Sequence, residues 1–100
     1  MSPTAEVTSQ RIEQMSVLLQ QALQPSVLEI EDESHHHIGH EGARDGRGHF
    51  KLHIVSARFD GLSPLQRHRL IYVALGELMQ TDIHALAIEA ELPKTENQGF

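Results

Sequence analysis

A chain of 100 residues with 39% apolar and 22% charged side chains has the make-up of one small globular domain, burying about 60–65% of its unfolded surface. It contains no cysteine, which excludes a disulfide framework and any zinc or iron–sulfur site built from its own thiolates. The net charge of −6 hides an asymmetry. Six of the eight basic residues (Arg44, Arg47, Lys51, Arg58, Arg67 and Arg69) fall within residues 44–69 against two acids, while both flanks are acidic. No apolar run approaches the roughly 20 residues of a membrane span. The first fifteen residues hold one Arg and two Glu, unlike a secretory signal or an Arg-rich transit peptide, so a cytoplasmic protein is expected.

In chain order, residues 1–7 are expected to be a flexible N-terminus. From about Thr8, the residues Ile12, Met15, Leu18, Leu19, Ala22 and Leu23 trace a helical stripe that Pro25 ends at Gln24. Leu28 and Ile30 then alternate with Glu29, Glu31 and Glu33, the pattern of a half-buried strand with an acidic solvent face. Residues 34–48, SHHHIGHEGARDGRG, carry four Gly and four His without periodicity and read as a long loop. Phe50, Leu52 and Ile54 alternate with Lys51, His53 and Val55 as a second strand, stopped by Asp60-Gly61. A helix start follows at once: Ser63 as N-cap, Pro64 in the first turn and Gln66 closing a capping box. Its apolar face is traced by His68, Ile71, Tyr72, Leu75, Leu78 and Met79, and Thr81-Asp82 closes it.

A third strand alternates His84, Leu86 and Ile88 with Ala85 and Ala87, small residues that suggest close packing against a neighbour. Residues 91–100 read as a flexible polar tail, which leaves a domain over residues 8–90. The order α-β-β-(turn)-α-β predicts an α+β fold, a three-stranded sheet with helices packed on one face.

The histidines are the unusual chemistry. Five of the eight lie between Ser34 and His49: His35, His36, His37, His40 and His49 itself. Neutral imidazole suits zinc, copper, nickel or iron, and closely spaced His on a Gly-rich loop can fold around an ion. A solvated loop with the adventitious affinity of any oligohistidine is the plainer reading. His84, at the start of the third strand, reads either as a polar residue at the edge of the sheet or as a ligand placed by it. His68 reads as a half-buried structural residue. Arg67 and Arg69 read as a solvated basic face or, with Arg58 and Lys51, as a docking patch for phosphate or an acidic partner. No Ser/His/Asp or paired-carboxylate constellation is apparent, so catalysis is not expected.

The run RFDGLSPLQRHRLIY, with its F-x-G-x-x-x-x-x-R-H-R pattern, resembles the BolA family. So do the later DIHALAI and the earlier EDESHHHIGH, and the likeness spans roughly residues 8 to 92. It implies a fold like the type II K-homology domain. It also implies a partnership with a monothiol glutaredoxin, as a heterodimer sharing a [2Fe–2S] cluster for which the glutaredoxin and a glutathione supply thiolates. The BolA-like partner would supply the His of DIHALAI, here His84, and one from the variable loop, best matched by His37 with His35, His36 and His40 as alternates. The isolated chain would then hold no cluster. The family's association with transcription keeps a second reading open, a DNA-binding regulator using the basic turn and helix around Arg67 and Arg69. Against it, the GxxG grip of K-homology domains is missing at the helix entry, where FDGLSP has a single Gly.

Overall fold

The computed structural model describes residues 5–33 and 48–94, with side chains from Val7 onward. The expected loop, apart from Gly48, and the last six residues therefore lie outside the described residues. The chain forms helix α1 (Ala5–Leu23), strands β1 (Val27–Asp32) and β2 (Gly48–Val55), and a 3-10 turn (Ala57–Phe59). Helix α2 (Pro64–Leu75), the short helix α3 (Leu78–Thr81) and strand β3 (Ile83–Glu91) complete it. This is a small α+β domain whose mixed sheet has the order β1-β2-β3, with β1 antiparallel and β3 parallel to β2. None of the described helices is long and apolar enough to cross a membrane.

The alternation read in β2 sets the core. Phe50, Leu52 and Ile54 are buried, and the register lines Leu52 up with Ile30 of β1 and Ile88 of β3. Met15, Leu19 and Leu23 of α1 and Ile71 and Leu75 of α2 close over that face, together with Phe59 and Ile83. The opposite face carries Glu29 and Glu31, Lys51 and His53, and Glu89. Ala85 and Ala87 are also exposed. Their small size therefore does not reflect close packing as expected, because the helices cover one side of the sheet only.

The α2 start is as read: the Ser63 hydroxyl accepts from the Gln66 N–H at 3.2 Å and the Gln66 side chain accepts from the Ser63 N–H at 2.9 Å. Three boundaries differ. Helix α1 begins at Ala5 rather than Thr8, and Gln24 ends it with a φ of 47°. Strand β2 stops at Val55, before the expected Asp60-Gly61. There the buried Ser56 donates its hydroxyl to the Leu23 carbonyl at 2.6 Å and accepts the Arg58 N–H at 3.1 Å, turning the chain into the 3-10 segment. The predicted single helix to Met79 breaks at Gly76, whose φ of 58° glycine adopts at little cost. Tyr72, expected on the buried face, is 41% exposed, because Ile71 and Leu75 point to the sheet instead.

Ser56→Ala removes the hydroxyl that bonds the last carbonyl of α1 from just beyond β2 and leaves the Leu23 carbonyl buried without that donor. A loss of about 1–3 kcal/mol is expected, read as a lower urea midpoint with an unchanged slope. An unaltered midpoint would show that the Leu23 carbonyl is satisfied in another way.

Candidate functional site

The predicted site residues occupy different ends of the sheet. At the start of β3, the parallel pairing runs Gly48↔Ile83 and then His49↔Ala85. One residue of β2 thus faces two of β3, and His84 is the extra one. Such bulges re-aim a side chain and recur beside functional sites. His84 does not sit in the simple alternation with Leu86 and Ile88 that the sequence suggests; it is exposed, and its ring lies against that of His49. The two ring centroids are 4.9 Å apart and the planes are tilted by 49°. His49 is nearly buried, with 7% of its surface exposed.

The approach to this corner is held from several sides. The Gly48 N–H donates to the Asp82 carbonyl at 2.9 Å and the Glu33 N–H to the His49 carbonyl at 2.7 Å. The Asp82 carboxylate accepts from the Thr81 hydroxyl at 2.6 Å and from Arg11 of α1 at 3.0 Å. The Thr81 bond and then the Arg11 guanidinium hold that carboxyl below its ordinary range. On β1, the Asp32 carboxylate accepts from Thr8 at 3.1 Å.

His49 and His84 are two imidazoles at one corner of a chain without thiols, and both ring nitrogens of His49 are buried. Among the described residues no set of three or more His, Asp or Glu side chains is placed to hold a metal ion. His35, His36, His37 and His40 lie outside the described residues. Of the two rings, the exposed His84 is the one that can present a nitrogen to a group outside this chain. His49 was not singled out by sequence reasoning, which grouped it with the loop. The available signal was its position directly before the Phe50-Leu52-Ile54 alternation, which puts it in a strand.

Arg67, Arg69, Arg58 and Lys51 do not form one patch. Arg67 is half-buried: its Nε donates to the Leu62 carbonyl at 3.0 Å and its Nη1 to the Ala90 carbonyl at 3.1 Å, with the guanidinium 5.9 Å from the centroid of the Phe59 ring. It ties the start of α2 to the end of β3, so the solvated face read for it is not what the fold builds. Arg58 donates to the Gln24 side chain at 3.0 Å. Arg69 is exposed on α2 beside Leu62, Gln66 and Val73, and Lys51 is exposed on the open sheet face. His68 is half-buried.

Asp82→Asn weakens the Arg11 tie behind His84 and is expected to cost about 1 kcal/mol. A carboxyl held low in the folded state contributes stability above its unfolded pKa, 3.8, and loses it as pH falls through the lower folded value. The acid limb of wild-type stability should therefore flatten in Asp82→Asn. Equal acid limbs in the two proteins would remove the tie from the account.

With this geometry in hand, likeness to known proteins can be placed on the chain. Residues 19–95 match the family described as BolA-like protein. BolA-like protein 1 of Pongo abelii is 52% identical over 75 residues, covering 75% of this chain and 53% of that protein, so the chain spans about half of that relative's length. The DNA-binding transcriptional regulator BolA of Escherichia coli is 44% identical over 76 residues, covering 76% of this chain and 70% of that protein. Among solved structures, the BolA domain of SufE1 from Arabidopsis thaliana superposes with a TM-score of 0.74 at 42% identity, covering 83% of this chain and 92% of that one. Helix start, crossover and histidine corner all fall inside the matched span, and the chain belongs to the BolA family.

Proposed function

We propose that the chain is a non-enzymatic adaptor that pairs with a monothiol glutaredoxin and co-ligates a [2Fe–2S] cluster, in cluster trafficking or iron and redox regulation. The observation that carries this reading is the His49–His84 juxtaposition at a bulged strand start in a chain with no cysteine. Such a corner offers nitrogen and no thiolate, which is one half of a mixed ligand set. His84 is the strand ligand in this reading. His37 is the loop ligand, with His35, His36 and His40 able to take its place, and His49 supports the His84 ring. When bound, the cluster supplies one-electron chemistry, and nitrogen ligation raises its potential above that of an all-thiolate centre.

The test is co-expression with a monothiol glutaredoxin and glutathione, followed by visible absorption and circular dichroism of the purified complex. The isolated chain should hold no cluster. In the complex, His84→Ala should abolish the His-ligated spectrum. His37→Ala should be milder, and removing His35, His36, His37 and His40 together should match the His84 loss. A wild-type spectrum in both His84→Ala and the quadruple variant would sink the assignment.

A DNA-binding reading is favoured by the name of the E. coli relative and by exposed Arg69 on a well-capped helix. Because Arg67 is structural, Arg69→Ala is the clean variant. It should weaken duplex binding about equally across sequences and reduce the salt slope by about 1. No duplex binding by the wild-type chain at low ionic strength ends this reading.

A further inference from the structure

We propose that His53 is a proton-operated tie: as an imidazolium it bridges the carboxylates of Glu29 on β1 and Glu91 on β3, and its deprotonation releases the C-terminal end of β3. The inference is independent of the cluster reading, since His53 lies four residues beyond His49, toward the other end of β2.

Making both contacts hydrogen bonds at once requires the charged ring. Nδ1 of His53 is 3.1 Å from Oε1 of Glu29, and Nε2 is 3.0 Å from Oε1 of Glu91. Ionised carboxylates only accept, and a neutral imidazole has one N–H to give. Both contacts can be hydrogen bonds only if both ring nitrogens carry protons. The neutral ring keeps one carboxylate and turns a lone pair toward the other. The two partners also differ in reach. Glu29 stands directly opposite His53 in the antiparallel register, whereas the parallel register puts Glu89 opposite it. Glu91 reaches back along β3 to a diagonal neighbour, so it is the contact with the most to lose.

The surroundings favour the proton. Glu29 and Glu31 face His53 from β1 and Glu89 and Glu91 from β3, with Lys51 two residues away on β2. Arg67 of α2 and Lys94 beyond β3 border the adjoining cleft of about 850 Å³. The Arg67 guanidinium is committed to the Leu62 and Ala90 carbonyls. The bonds to Glu91 and then Glu29 raise the His53 pKa from its ordinary 6.5, against a smaller opposing effect of burial.

The tie adds to what already holds the last residues of β3: the pairing of Glu89, Ala90 and Glu91 with His53, Ile54 and Val55 of β2, the Ser56 N–H on the Glu91 carbonyl at 3.0 Å and Arg67 on the Ala90 carbonyl. A group whose pKa is raised on folding contributes fully below its unfolded value of 6.5, and that contribution disappears as pH rises through the folded value. Alkali therefore loosens Glu91 and the segment that follows it, and widens the cleft whose apolar lining includes Val27, Val55 and Leu92. The ring is 31% exposed, so salt also weakens the tie.

The experiment uses the full chain. The His53 ring is titrated by NMR, and exchange of the Glu91 backbone amide, on the side facing β2, is followed across the same pH range, corrected for base catalysis. The wild-type ring should titrate above 6.5, and a Glu29→Gln/Glu91→Gln variant should return it toward that value. Amide protection should fall about tenfold for each pH unit between the two midpoints, and His53→Gln should abolish this pH dependence. His53 titrating at or below the ordinary value overturns the proposal, as does an unchanged pH dependence of protection in His53→Gln.

Discussion

The rest of the domain depends on the burial of one face of β2. Phe50, Leu52 and Ile54 lie under α1 and α2, while both hydrogen-bonding edges of the strand are taken by β1 and β3. Once the central strand is buried on one side, β1 must offer Leu28 and Ile30 and β3 must offer Leu86 and Ile88 to that side. A parallel third strand needs a crossover long enough to return to the starting end of the sheet, which the 3-10 turn and two helices provide. Truncating any of the three β2 side chains would cost about 2–5 kcal/mol. That is a large part of the whole stability of a domain this size.

What was legible in the sequence is what period and capping chemistry encode. The alternation of β1 and β2, the α1 stripe ended before Pro25 and the Ser63-Pro64-Gln66 start all depend on neighbours within a few residues. What was not legible depends on partners far along the chain. Ser56 turns the chain because the Leu23 carbonyl, 33 residues earlier, stands above it. Arg67 reads as a surface base until Ala90, 23 residues later, takes its guanidinium. Gly76 was a local signal, and the apolar residues continuing on both sides of it masked the break. The exposed Ala85 and Ala87 show that small residues in a strand can mark an uncovered face as well as a crowded one.

The histidine corner shows the same limit at the level of chemistry. A period-2 reading puts His84 at the edge of the core beside Leu86 and leaves His49 between the loop and the strand, counted with the loop histidines. The register shift corrects both: it adds a residue to β3 opposite Gly48 and His49 and brings the two rings together. Neither strand's own pattern contains that information, because a bulge is a mismatch between two strands. The Arg11–Asp82 contact and the Gly48–Asp82 backbone bond then fix how β3 enters the sheet. The His84 ring, set by a bulge and braced by α1, is positioned by long-range structure.

The two proposals give protons opposite signs toward the two ends of the central strand. His49 and His53 are four residues apart on β2, about 13 Å along an extended chain. In the proposed cluster reading a proton would compete with the metal for the His84 ring nitrogen, since an imidazolium has no lone pair to offer. At His53 the proton is what lets one ring satisfy two carboxylates on two strands. Under the two proposals, acid would remove a ligand at one end of the sheet while it tightens the other. Loss of metal affinity at low pH can follow from the ring nitrogens alone, with β1 and β3 still tied across β2. The two responses are separable because the Glu29 and Glu91 side chains lie near the far end of the sheet, where β1 starts and β3 finishes, away from the entry of β3 that carries His84.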